Sequence, residues 1–410
     1  ASSSKTASVK CTTVFKKKYF MSQFDQIIDR EGTRALKLEK RSLLFGTNDV
    51  LPLWVADMDF AAAPAIQKAL KQRMEHPIYG YTVRPTAFFE AIQSWNKRRH
   101  NWEIAQEWIE FTPGVVPSLG LAVQAFTQPG EGVIVQPPVY PPFFGVVRDF
   151  DRKVVENPLK ANADNYYEID FAHFEEVCAQ PENKLFLLCH PHNPVGRVWT
   201  PEELQRMGEI CVRHGVVIIS DEIHCDLTLF GHVHRPLATL SPEIADITVT
   251  CMAPSKTFNL AGYSTAYLVV TNAELLKAMR KQIFGLHLHM GNVLGATALE
   301  AAYNESEDWL DELRSYLEGN ITLVADFLKA QLPEVKMHLP EATYLLWLDF
   351  RAWDMKQNDL KKFMVEQAGL GLNDGLTFGS EGRGFMRLNV ASPRALIQQA
   401  LEQLKAAREA

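Results

Sequence analysis

Five short runs of β-branched and apolar residues, each closed by a turn or by polar side chains, constrain this chain more than any other feature. They are Gly132-Val133-Ile134-Val135-Gln136, Lys184 to Cys189, Val216 to Ser220, Ile247 to Cys251 and Thr265 to Val270. The runs are continuous, and strongly polar residues do not alternate through them. Such runs predict strands buried on both faces. Thr200-Pro201-Glu202-Glu203 lies between two of them. A threonine cap, proline at the first helical position and glutamate three residues on predict a helix start, and Gly215 predicts its end. Strand–helix–strand repetition of this kind predicts an α/β fold with a mostly parallel sheet flanked by helices.

The C-terminal third reads differently. Long helical stretches at 294–303 and 309–330 precede a strand at 344–350, a helix near 358–368, a strand at 385–390 and a terminal helix at 393–408. This predicts a smaller α+β unit. The expected division is a large unit over 61–293 and a small one made of 21–60 with 294–410. Residues 1–20 are rich in Ser, Thr and Lys and carry no acidic side chain. They read as an expression leader or a disordered extension, with a targeting peptide as the lesser reading.

In open α/β sheets, ligands bind beyond the carboxyl ends of the strands. Three strands of this chain deliver Asn193, Asp221 and Lys256 to that edge. An amide, a carboxylate and a lysine together suit pyridoxal phosphate. The lysine amine joins the aldehyde, the carboxylate keeps the pyridine nitrogen protonated, and the amide meets the ring oxygen. Ser255 beside the lysine suits a phosphate oxygen. Pro113-Gly114-Val115-Val116-Pro117 reads as a turn opening a helix, whose first backbone N–H groups attract anions. Gly114 there permits close approach or unusual dihedrals. Tyr140 follows the 132–136 strand and offers a ring to stack on the pyridine. Each residue also has a plainer reading. Asp221 and Ser255 could be helix caps, Asn193 a turn former, Tyr140, His224 and Tyr81 packed core, and Arg387 half of an ion pair.

The spacing of Asn193, Asp221, Lys256 and Arg387 resembles that of the fold-type I, class I/II aminotransferase family. The strings at 192–200, 220–227, 255–262 and 382–390, with Trp54 to Phe60 and Tyr79-Gly80-Tyr81, resemble its cystathionine β-lyase (C–S lyase) branch. The resemblance covers about residues 22–408. It implies that Lys256 is the Schiff-base lysine and proton-transfer base, that Asp221 pairs with the pyridinium and that Asn193 bonds the ring oxygen with His224 near it. It further implies that Tyr140 stacks on the ring and that Ser255 and the amides of Val115 and Val116 hold the phosphate. Arg387 would clamp the substrate carboxylate, and Tyr81 would reach the partner's cofactor across a homodimer interface. Two departures from many aminotransferases, His224 in place of Tyr and no Arg in Gly262-Tyr263-Ser264-Thr265, match the lyase branch. The implied reaction is α,β-elimination from L-cystathionine or a related sulfur amino acid, giving a thiol, pyruvate and ammonia. Transamination between an L-amino acid and a 2-oxo acid is the alternative.

The net charge of −7 argues against a nucleic-acid partner. No apolar run reaches membrane length. The six cysteines form no CxxC pair, which suits a reducing, cytoplasmic setting. The His287 and His289 pair lacks carboxylate or cysteine companions, so no metal is expected.

Overall fold

Each of the five runs is a strand of one seven-stranded sheet. Its order is Ile109–Thr112, Ala266–Val269, Thr248–Met252, Val217–Asp221, Asn183–Cys189, Gly132–Val135 and Lys153–Glu156. The computed structural model describes residues 22–410, so the expected leader at 1–20 lies outside the described residues. All neighbouring strands are parallel except Ala266–Val269, which is antiparallel to both of its neighbours. Three strands begin one residue later than the apolar run suggests, because the backbone pairing that defines them starts at Val217, Thr248 and Ala266.

Side chains alternate between the sheet's faces, and each face has its own core. Val133, Val135, Leu185, Leu187 and Ile219 pack with the helix Val115–Phe126 on one side. Ile134, Phe186, Leu188 and Ile218 pack with the helix Pro201–His214 on the other. That second helix starts with the capping box between Thr200 and Glu203 and stops at Gly215 in the left-handed conformation, φ 66°. Both ends agree with the sequence reading.

The C-terminal third holds a three-stranded antiparallel sheet in the order Leu345–Asp349, Phe385–Asn389, Asn373–Asp374. The helices Glu307–Gln331, Gln357–Glu366 and Arg394–Glu409 belong to the same stretch. Leu51–Pro52 pairs in parallel with Leu370–Gly371, which carries the N-terminal segment to this sheet's neighbourhood. The helix Val293–Glu305 packs chiefly on Pro64–Glu75 and Thr86–His100. Among the described residues, no helix is long and apolar enough to cross a membrane.

Candidate active site

The sheet's register lines up the site. Asp221, the last residue of its strand, pairs with Cys189 on one side and Cys251 on the other. All three strands therefore end at one level, and the loops beyond them share one cavity of ≈ 190 Å³. Because Ala266–Val269 returns antiparallel, residues 253–265 need no crossover to the far edge. That connection stays at the carboxyl edge, and both arms of it, Ser255 and Lys256, then Ser264 and Thr265, line the cavity.

Asn193, Asp221, His224, Tyr140, Val115 and Val116 line the same cavity. Asp221 is buried and accepts one backbone bond, from Ile223 N at 3.1 Å. Burial pushes its carboxyl up to about 7, against the pull of Lys256. A buried carboxyl with so few donors gains from a cation placed beside it. Lys256 Nζ donates to the Ala56 carbonyl at 2.6 Å. Burial, helped by the Arg387 charge, lowers this amine to about 8. His224 is held well below the ordinary imidazole value, first by burial and then by Lys256 and Arg387, so its ring is neutral. Its Nδ1 has no partner among the described residues.

Arg387 stands behind Asn193 on the Phe385–Asn389 strand. Its guanidinium donates to Asn193 Oδ1 (3.0 Å), the Trp54 carbonyl (2.8 Å) and Asn373 Oδ1 (2.6 Å). All three acceptors are neutral, and Nε is buried without a partner. Burial accordingly lowers Arg387 to about 10. A buried arginine with no carboxylate beside it is poised for an anion. Asn193 Oδ1 is taken by this bond, which leaves its amide nitrogen as the group available to the cavity.

The opposite end of the cavity begins at Gly114, ahead of the helix Val115–Phe126. Lys256 is the only Lys or Arg lining the cavity among the described residues, so an anion at this end meets backbone N–H groups and the hydroxyls of Ser255, Ser264 and Thr265. Gly114 itself has φ 169°, extended backbone that any residue adopts, so the expected special dihedral is absent. What matters is space, since a Cβ there would lie 3.3 Å from Pro117 Cδ.

Tyr81 is the one predicted site residue lying apart. It is 99% exposed and borders a separate crevice with Met290 to Val293. Sequence reasoning missed the Ala56 carbonyl, Tyr344, whose hydroxyl bonds that carbonyl at 3.1 Å, and Cys189 on the cavity wall. It also missed Asp226, which accepts from Thr257, the neighbour of Lys256, at 2.8 Å and from His100 at 2.9 Å. A backbone carbonyl leaves no signal in residue type, whereas Asp226 stood in a quoted motif without a task.

A lysine, a buried carboxyl, an amide, a neutral histidine and a helix start around one cavity, with an unopposed arginine behind the amide, fit a pyridoxal-phosphate site for amino acids. The chain belongs to the aminotransferase class I and II family, whose sequence profile matches residues 43–404. It is 45% identical over 389 residues to the cystathionine beta-lyase PatB of Bacillus subtilis (strain 168), covering 94% of this chain and 99% of that protein. The PLP-bound putative aminotransferase from Clostridium difficile 630 superposes with TM-score 0.92 at 42% identity, covering 94% of this chain and 99% of that one. Cystalysin from Treponema denticola, a structure containing pyridoxal 5'-phosphate, has TM-score 0.92 at 37% identity, with 95% and 99% covered.

Proposed function

We propose that this protein is a pyridoxal-phosphate-dependent carbon–sulfur β-lyase acting on L-cystathionine and related sulfur amino acids. The observation that carries the amino-acid part is Arg387, a buried cation with neutral partners only, bonded to Asn193 on the wall of the cavity that holds Lys256 and Asp221. The likeness to PatB at 45% identity supports β-elimination over transamination.

Bound pyridoxal phosphate supplies a protonated ring that withdraws electrons from the substrate's Cα. Lys256 is the attachment point. Its amine, when free, would take the Cα proton; an amine lowered to about 8 is partly neutral near neutral pH and can do so. Asp221 would hold the ring nitrogen's proton, and Asn193 with His224 would meet the ring oxygen. Tyr140 would pack on the ring, while Ser255 and the Val115 and Val116 amides would hold the phosphate. Arg387 clamps the α-carboxylate and so fixes which Cα bond is broken. The Cβ–S bond breaks, the thiolate leaves with its electron pair, and the unsaturated amine left behind reacts with water to give pyruvate and ammonia.

Residues 61–293 form the cofactor-holding unit, and 21–60 with 294–410 form the unit that brings Arg387 to it. Ile78, Tyr79, Tyr81 and Val83 are exposed apolar side chains, and Tyr79 and Tyr81 share a crevice with exposed Met290. Arg84 ties the two segments by bonding the His289 carbonyl at 2.6 Å. Such a patch suits a second copy of the chain, with Tyr81 reaching the partner's cavity. The five described cysteines are free and buried, which suits the cytoplasm.

The test mixes the purified holoenzyme with L-cystathionine and follows thiol, pyruvate and the cofactor's visible band. Equal amounts of thiol and pyruvate are expected, with the band lost in Lys256→Ala. No thiol, and bleaching reversed by a 2-oxo acid, would replace the lyase assignment with transamination.

A further inference from the structure

Trp54 to Asp59, a marker of resemblance in the sequence, runs past the cavity as a strap. It bends at Val55 and Ala56, where Asp57 N bonds the Val55 carbonyl at 2.9 Å. Trp54 O accepts from Arg387 Nη2 at 2.8 Å, and Ala56 O accepts from Lys256 Nζ at 2.6 Å. Val55 O and Asp57 O accept from Asn389 Nδ2, each at 2.7 Å. Both cations of the site are thus tied to carbonyls of one short segment.

The strap is fixed from two directions. Lys37, only 1% exposed, reaches Asp57 at 2.9 Å and Asp59 at 2.8 Å. Arg30 bonds Asp57 Oδ2 at 2.7 Å and also Asp59 Oδ1. The two carboxylates are two residues apart, so they share a side and meet two cations in a charge-balanced cluster. Burial alone would push the Asp57 carboxyl up; Lys37 and Arg30 outweigh it and hold it below the usual value. From elsewhere, Asn259, three residues beyond Lys256, bonds both Met58 N (3.0 Å) and Met58 O (2.9 Å). The Trp54 indole closes the assembly onto the Lys37 carbonyl at 3.1 Å.

We propose that Arg30, Lys37, Asp57 and Asp59 form a latch that holds the 54–59 strap against the cavity, making them positioning residues for Lys256 and Arg387. The inference rests on the roles given to those two residues above. None of the four latch side chains lines the cavity. Releasing the latch withdraws the Trp54 carbonyl from the guanidinium and the Ala56 carbonyl from the side of the cavity where Lys256 holds its nitrogen. A site competent in only a fraction of molecules binds its ligand weaker by that fraction.

The test compares wild type, Asp57→Asn and Asn259→Ala as holoenzymes, since these free the strap from opposite directions. Each is expected to keep the cofactor's visible band. Each is expected to raise KM for L-cystathionine about tenfold with kcat within about threefold, and to move the pH midpoint of the band in the same direction. Lys37→Arg keeps both carboxylates paired and is expected to stay near wild type, whereas Lys37→Met follows Asp57→Asn. Unchanged KM and band midpoint in well-folded Asp57→Asn and Asn259→Ala would overturn the latch. So would lowered thermal stability as their only change. Wild type without lyase turnover, or Lys256→Ala with the band intact, would instead overturn the underlying site reading.

Discussion

Arg387 shows how one residue's surroundings specify its chemistry. Its planar donor fork is spread over two side-chain amides and a carbonyl, and none of these neutralises it. A lysine at this position keeps the charge and loses the paired geometry. Arg387→Lys is therefore expected to raise KM for the amino acid about 10- to 100-fold, the worth of one or two charge-assisted bonds, with the cofactor band retained. Steady-state kinetics beside an absorbance spectrum checks it. Loss of the band with the KM would mean that Arg387 holds the cofactor region together instead. The residue's identity was legible in the sequence through its spacing from Lys256. Its lack of a carboxylate partner was not, because Asn373 and Trp54 reach it only after the chain has folded.

At the scale of elements, the loop behind Asn193 carries its own anchor. Arg197 is 1% exposed and meets Glu203 at 2.8 Å and Glu341 at 3.2 Å. Glu341 also accepts from Val198 N at 2.7 Å. The Glu341 and Ala342 amides in turn bond the Gly196 carbonyl at 2.8 and 3.1 Å. This joins the loop after the Asn183–Cys189 strand to the segment entering the C-terminal sheet, hence the Asn193 side of the cavity to the Arg387 side. Glu341→Ala leaves a buried guanidinium short of charge and a buried amide unpaired. It is expected to cost about 3–5 kcal/mol in denaturant unfolding, far above an ordinary surface change. A loss under 1 kcal/mol would show that Glu203 alone satisfies Arg197. The helix Pro201–His214 was legible to the residue, because capping box and terminal glycine act within a few residues of chain. The short pairing of Leu51–Pro52 with Leu370–Gly371 was not, because two residues at such separation carry no local signal.

Across the whole molecule, burial of titratable groups sets the response to acid. His190 and His192 are each lowered from 6.5 to about 3, chiefly by burial, and His224 and His234 are also held low. Between pH 6.5 and about 3 the unfolded chain binds protons at these positions that the folded chain refuses, so stability falls as pH falls through that window. Asp221 and Glu222, raised by burial, act in the opposite sense. His338 adds to the first group and Glu156 and Glu300 to the second, but all three are only partly buried; the four fully buried imidazoles outweigh Asp221 and Glu222, and a cationic ring beside Asp221 cancels its share. The urea midpoint of the holoenzyme is expected to drop from pH 7 to pH 5, and His192→Asn to flatten that slope; a midpoint that rises would show the carboxyls dominating. The sequence by itself determined the sheet, its strand order of appearance, the capped helix and which strand ends carry Asn193, Asp221 and Lys256. Those follow from patterns of burial and turn chemistry that act over a few residues. The tertiary structure alone decided the strap from Trp54 to Asp59, the latch around Lys37 and the neutral surroundings of Arg387. These depend on backbone carbonyls and on segments far apart in the chain, which meet only when the two ends of the molecule close on the same edge of the sheet.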